Sequence, residues 1–131
     1  MSQTSVDVTG APNVAVVLNR DLLFGSRVRG ALAALGLDAR VVGKTGEFIA
    51  ALRELQGAAA IGIIDMNGAV DWDALADTLR GADDVPPTLA FGSHKDVENL
   101  RAAKAAGVTR VVSNGQFHRE MPELIERYRR R

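Results

Sequence analysis

The chain has 131 residues, 47% of them hydrophobic and 24% charged, with no Cys and only two His. That is one ordinary globular domain, and it excludes disulfides, thiolate chemistry and cysteine-based zinc sites. Sixteen Lys and Arg balance sixteen Asp and Glu, so net charge gives no drive toward nucleic acid or anionic lipid, and neither partner is expected. No apolar run approaches the length that spans a bilayer. The absence of Cys suits a reducing cytoplasm. Residues 1–12, polar and without a basic start or an apolar core, read as a flexible leader rather than a signal peptide.

From Asn13 onward, short apolar runs alternate with stretches of helical spacing. Val14-Ala15-Val16-Val17-Leu18 is apolar without polar alternation, the pattern of a parallel strand buried on both faces. Phe24, Val28, Ala31, Leu32 and Leu35 then recur at helical spacing, with Asp21 as the cap and Gly36 as the stop. Ala39-Arg40-Val41-Val42 is a more polar strand, suited to a sheet edge. Phe48, Leu52 and Leu55 mark a helix entered from Thr45 as its cap and closed near Gly57. Gly43-Lys44-Thr45 resembles the end of a phosphate-binding loop, but the glycine required five residues earlier is Asp38, whose charge would repel phosphate.

Ala60-Ile61-Gly62-Ile63-Ile64 is the third strand, ending at Asp65, and Trp72, Leu75, Ala76 and Leu79 line a helix stopped by Gly81. Pro86-Pro87 precede the fourth strand, Thr88 to Phe91, because proline offers no ladder donor. Ser93 with Asp96 three residues on resembles a capping box opening the fourth helix, which ends at Gly107. Val108 to Ser113 form the fifth strand, and Met121, Leu124, Ile125 and Tyr128 the stripe of the last helix. Alternating β and α predict an α/β, flavodoxin-like (βα)5 three-layer sandwich over residues 13–131, with parallel strand order 2-1-3-4-5.

In such a sheet ligands bind beyond the carboxyl ends of the strands. That rule selects Asn19, Arg20 and Asp21 after the first strand and Asp65 and Asn67 at the third. It also selects Gly92 and Ser93 after the fourth and Asn114 after the fifth. The apolar strand ending in Asp65, the Pro87–Phe91 strand with its small-residue turn, and Ala106-Gly107 before the last strand give the chain its likeness. It resembles a response-regulator receiver domain over about residues 13–130. The resemblance implies Asp65 as phosphoacceptor, and a dimer or partner face around Val97–Ala105 and Met121–Arg129.

Receivers also place two acidic residues after the first strand to hold Mg²⁺. Here that position reads Leu18-Asn19 or, slid by one, Asn19-Arg20. A receiver's hydroxyl after strand four is Gly92, with Ser93 one residue late. Its lysine after strand five is replaced by Asn114-Gly115, and its aromatic on that strand by Val111. The chain therefore reads as a degenerate receiver, a pseudoreceiver acting alone through a signalling protein partner or as a homodimer, non-enzymatic and without efficient phosphorylation. No cofactor is expected, and Mg²⁺ enters only if Asp65 is phosphorylated. Two alternatives stand beside it: a working phosphoacceptor at Asp65, and a small-ligand or nucleotide module at the carboxyl edge. In the second register Arg20 can pair with Asp65 where a metal would sit, or remain a solvated loop residue. His94 and His118 lack metal-ligand spacing. The basic end, Arg127 to Arg131, balances the helix dipole and carries no nucleic-acid motif beside it.

Overall fold

A strand buried on both faces needs apolar side chains on both sides, and each run named above supplies them. The computed structural model describes residues 11–131. Its elements alternate as β1 (Val14–Leu18), α1 (Leu22–Ala34), β2 (Asp38–Val42), α2 (Thr45–Leu55) and β3 (Ala59–Asp65). They continue as α3 (Trp72–Gly81), β4 (Thr88–Gly92), α4 (Val97–Ala106), β5 (Arg110–Ser113) and α5 (Asn114–Tyr128), with a 3-10 turn at Gln56–Ala58. Every ladder is parallel and the strand order is β2-β1-β3-β4-β5. The expected three-layer α/β sandwich is the observed one.

Alternation along β1 divides the core. Ala15 and Val17 face Phe24, Val28 and Leu32 of α1 and Phe117, Met121 and Ile125 of α5. Val16 and Leu18 face Phe48 and Leu52 of α2, Leu75 of α3 and Ala103 of α4. Edge strand β2 is only half-buried, in line with its polar sequence. At the centre, Gly62 is required by packing: a Cβ there would sit 2.9 Å from Phe48 Cζ and 3.1 Å from Thr88 Cγ2. Among the described residues no helix is long and apolar enough to cross a membrane.

Of the polar leader expected over residues 1–12, residues 1–10 lie outside the described residues. Ala11 is exposed, Pro12 is buried, and the Asn13 N–H donates to the Ala58 carbonyl at 3.1 Å.

Several boundaries differ from expectation, each for a local reason. Thr45 is the first residue of α2 rather than its cap. Lys44 occupies the cap without a side-chain bond, and the Thr45 hydroxyl instead accepts from the Asp71 N–H at 3.0 Å. Ser93 does not open α4. Asp96 caps it, accepting from the Asn99 N–H, while Ser93 Oγ accepts from the Lys95 N–H in a preceding turn. At the end of α2 the left-handed residue is Gln56 (φ 46°), not Gly57. Its carbonyl is held by Arg130 Nη2 at 2.7 Å. β5 begins at Arg110 rather than Val108, and no loop follows it. Ser113 ends the strand and caps α5 through the Gln116 N–H.

The basic carboxyl end packs onto the opposite, amino edge of the sheet. Arg129 Nη1 donates to the Leu35 carbonyl at 3.0 Å. Arg130 donates through its backbone to Ala60 O (2.9 Å) and through its guanidinium to Ala59 O and Asp84 Oδ1, both at 2.7 Å.

Candidate functional site

Asp65 is the last residue of β3, and the β1–β3 register pairs Leu18 with Ile64. This settles the ambiguity after β1. Leu18 is core, and Asn19-Arg20 are the residues that emerge beside Asp65. Asn19 is buried at 6% exposure, and its Nδ2 donates to Asp65 Oδ2 at 2.6 Å. Its Oδ1 accepts the Asp21 N–H at 2.9 Å. The two bonds fix the orientation of the amide: turning it over would set NH₂ against the Asp21 N–H and oxygen against the carboxylate. Asn19 therefore presents a donor, not a lone pair, to Asp65.

The other oxygen is also taken. The backbone N–H and Nδ2 of Asn67 donate to Asp65 Oδ1 at 2.8 and 2.7 Å. Asn67 and Asn114 bond reciprocally, amide to amide, at 2.9 and 3.1 Å, tying the turn after β3 to the first residue of α5. Asp21 is occupied as the α1 cap, its Oδ1 accepting from the Leu23 and Phe24 N–H groups.

Arg20 does not pair with Asp65. Its Nε donates to the Gly43 carbonyl at 2.8 Å and its Nη2 to the Ala69 carbonyl at 3.3 Å, so it staples the loops after β2 and β3. Two backbone oxygens aimed at one guanidinium hold it without an ion pair. Sequence gives no sign of them, since any residue carries a carbonyl.

These elements enclose a cavity of about 620 Å³ at the carboxyl edge. Asn19, Arg20, Asp21, Asp65 and Asn67 line it. Gly92, Ser93 and Asn114, expected in the same pocket, are not among its lining residues; Asn114 reaches it only through its bond to Asn67. Gly92 is buried in β4 opposite Ser113, and a Cβ there would lie 3.0 Å from Met66 Cβ and 3.1 Å from Met66 Cε. The sequence reading missed Leu23, Phe24, Phe91 and Arg27, which also line it, and His118, weighed there only as a metal ligand, stands on α5 at the same opening. The signal was available in part: Leu23 and Arg27 lie one helical turn apart on α1, whose start adjoins the end of β1. The Phe24 and Phe91 rings are 5.1 Å apart, and His118 stands edge-on to both. Among the described residues no group of three or more His, Asp or Glu could hold a metal ion.

A scan against protein-family models gives no match, and a search of curated proteins gives none. Solved structures do match. The chemotaxis response regulator CheY4 of Vibrio cholerae superposes with a TM-score of 0.74 at 15% identity, over 90% of this chain and 99% of that one. The CheY-like protein TadZ of Pseudomonas aeruginosa matches at 0.65 and 22% identity, over 88% and 98%. The receiver domain of a Pseudomonas aeruginosa sensor histidine kinase, described with a magnesium ion in its active-site cleft, matches at 0.73 and 12%, over 90% and 98%. At these identities the likeness is one of fold: the chain has the fold of the response-regulator receiver domains.

Proposed function

We propose that this chain is a receiver-fold signalling module that works through protein–protein contact and does not use Mg²⁺-dependent phosphorylation. One observation carries the reading: both oxygens of Asp65 accept N–H donors, from Asn19 and from Asn67. Magnesium requires oxygen lone pairs in an octahedron, and Asn19, the residue that follows β1 beside Asp65, offers it a hydrogen instead. The donor set does not fit the ion. Two further features support this. The end of β4 has no hydroxyl, and Met66 fills the space that one would need. Asn114 is uncharged and already bonded to Asn67.

The partner face we assign to α4 and its surroundings. The apolar stripe of α5, Met121, Leu124 and Ile125, is spent on the core, whereas Val97 at the start of α4 is 50% exposed. The partner is a signalling protein or a second copy of the chain.

The test is incubation with acetyl phosphate and Mg²⁺, followed by intact-mass measurement and phosphate-affinity electrophoresis. The expected outcome is an unmodified protein. A phosphoryl adduct that disappears in Asp65→Asn would overturn the reading and establish Asp65 as a working acceptor. For the contact itself, cross-linking followed by mass spectrometry is expected to give an adduct through α4 that Val97→Glu removes. A monomer without adducts, or adducts indifferent to Val97→Glu, would refute the assigned face.

A further inference from the structure

We propose that Asn67 is a self-modification site, an asparagine that its own backbone converts to an acid by deamidation, and that Asn114 restrains the reaction. This goes beyond the reading above and does not depend on it. The reaction needs an asparagine side chain within reach of the next residue's backbone nitrogen. Of the five asparagines, only Asn67 and Asn114 are followed by glycine, whose nitrogen is approached with no side chain in the way. Val14, Arg20 and Leu100 follow the other three.

The fold separates the two candidates. Asn67 and Gly68 are exposed in the turn after β3, outside any helix or strand. The Gly68 N–H makes no hydrogen bond among the described residues. Asn114 is half-buried and is the first residue of α5, where a helical ψ turns the Gly115 nitrogen away from the asparagine side chain. Ring closure there requires the start of the helix to unwind.

At Asn67 the chemistry balances with water alone. The Gly68 nitrogen gives its proton to hydroxide and attacks Cγ of Asn67. The Cγ–Nδ2 bond breaks, Nδ2 leaves as ammonia with a proton from water, and a succinimide ring remains. Water opens the ring at either carbonyl, giving Asp or isoaspartate. The restraint is the set of bonds on the side chain: Nδ2 donates to Asp65 Oδ1 at 2.7 Å and to Asn114 Oδ1 at 2.9 Å, and Oδ1 accepts from Asn114 Nδ2 at 3.1 Å. Nδ2 cannot depart until its bonds open, and two of the three side-chain bonds belong to Asn114. The product loses both Nδ2 bonds and sets a second carboxylate against Asp65.

The experiment incubates the full chain at mildly alkaline pH and follows peptide masses and isoaspartate content with time. Asp and isoaspartate are expected at Asn67, with Asn114 intact. Asn114→Ala is expected to raise the rate at Asn67 about tenfold, by removing two hydrogen bonds from the side chain. Gly68→Ala is expected to slow the reaction severalfold at an unchanged melting temperature, since nothing lies within 4 Å of the added Cβ. Arg130→Ala, which loosens the opposite edge of the sheet without touching this turn, is expected to leave the rate as it is. An Asn67 still intact weeks after a peptide of residues 64–72 has converted would overturn the proposal. So would conversion at Asn114 as fast as at Asn67, or a rate indifferent to Gly68→Ala. Equal acceleration by Asn114→Ala and Arg130→Ala would overturn the restraint, by tracing the rate to global stability.

Discussion

Asn19 shows how one side chain can redefine a site. An asparagine and an aspartate occupy nearly the same volume, yet they present opposite hydrogen-bonding faces to Asp65. Asn19→Asp replaces the 2.6 Å N–H donor with a buried carboxylate beside the half-buried one of Asp65. We expect it to cost about 1–3 kcal/mol in the absence of divalent ions, read as a lower melting temperature, with recovery on adding Mg²⁺. A variant as stable as the parent and insensitive to Mg²⁺ would show that the amide contact is incidental. This contact was only half legible in the sequence. The strand and Asp65 were, but the choice between Leu18-Asn19 and Asn19-Arg20 needed the pairing of Leu18 with Ile64. At the far end of α5 the Glu126 carboxyl is held below its ordinary value of 4.5 by its hydrogen bond from Arg131, with the charges of Arg131 and Arg129 adding and burial opposing. A lowered folded value means stabilisation present above the unfolded pKa and lost as pH falls through the folded one. Glu126→Gln is therefore expected to lower the melting temperature slightly at neutral pH and to converge with the parent below pH 4.5, giving a flatter acid limb, the difference being small because the pair is exposed. An acid limb identical in the two proteins would refute it.

Whole elements were the most legible feature of the sequence, because burial on both faces leaves runs such as Ile61-Gly62-Ile63-Ile64 that little else produces. Helix starts were less so. Ser93 and Asp96 are both good caps three residues apart, and local sequence does not rank them. The chain chooses Asp96, whose two oxygens also take the Asn99 N–H and Nδ2. We expect Asp96→Ala to cost about 0.5–2 kcal/mol and Ser93→Ala less than half of that, measured by chemical denaturation. The reverse order would place the cap at Ser93. Thr45 was misread for a related reason: a hydroxyl at a helix entrance invites assignment to its own helix, whereas this one serves the Asp71 N–H at the start of α3.

At the scale of the molecule, the two edges of the sheet do different things. The carboxyl edge holds the cavity, and the amino edge is closed by Arg129 and Arg130. The arginine run was legible as charge, but not its destination, since carbonyls such as Leu35 O and Ala59 O leave no trace in sequence. Arg130 is expected to matter for stability. Arg130→Ala strips three guanidinium bonds, to Ala59 O, Gln56 O and Asp84, and should cost about 1–3 kcal/mol. Arg131→Ala, which loses only an exposed contact with Glu126, should leave the unfolding midpoint unchanged. Equal effects from both variants would mean that the run acts through net charge alone.

The missing loop between β5 and α5 sets a limit on how the chain can change in length. Connections of two to six residues follow the other four strands. Ser113, by contrast, belongs to strand and helix at once. One residue inserted there would rotate everything after it by roughly 100° about the helix axis, swinging Asn114 off Asn67 and Phe117 out of the stack with Phe91. Insertions and deletions should be better tolerated in the longer connections after β3 and β4 and purged at this junction, which has no slack to absorb them.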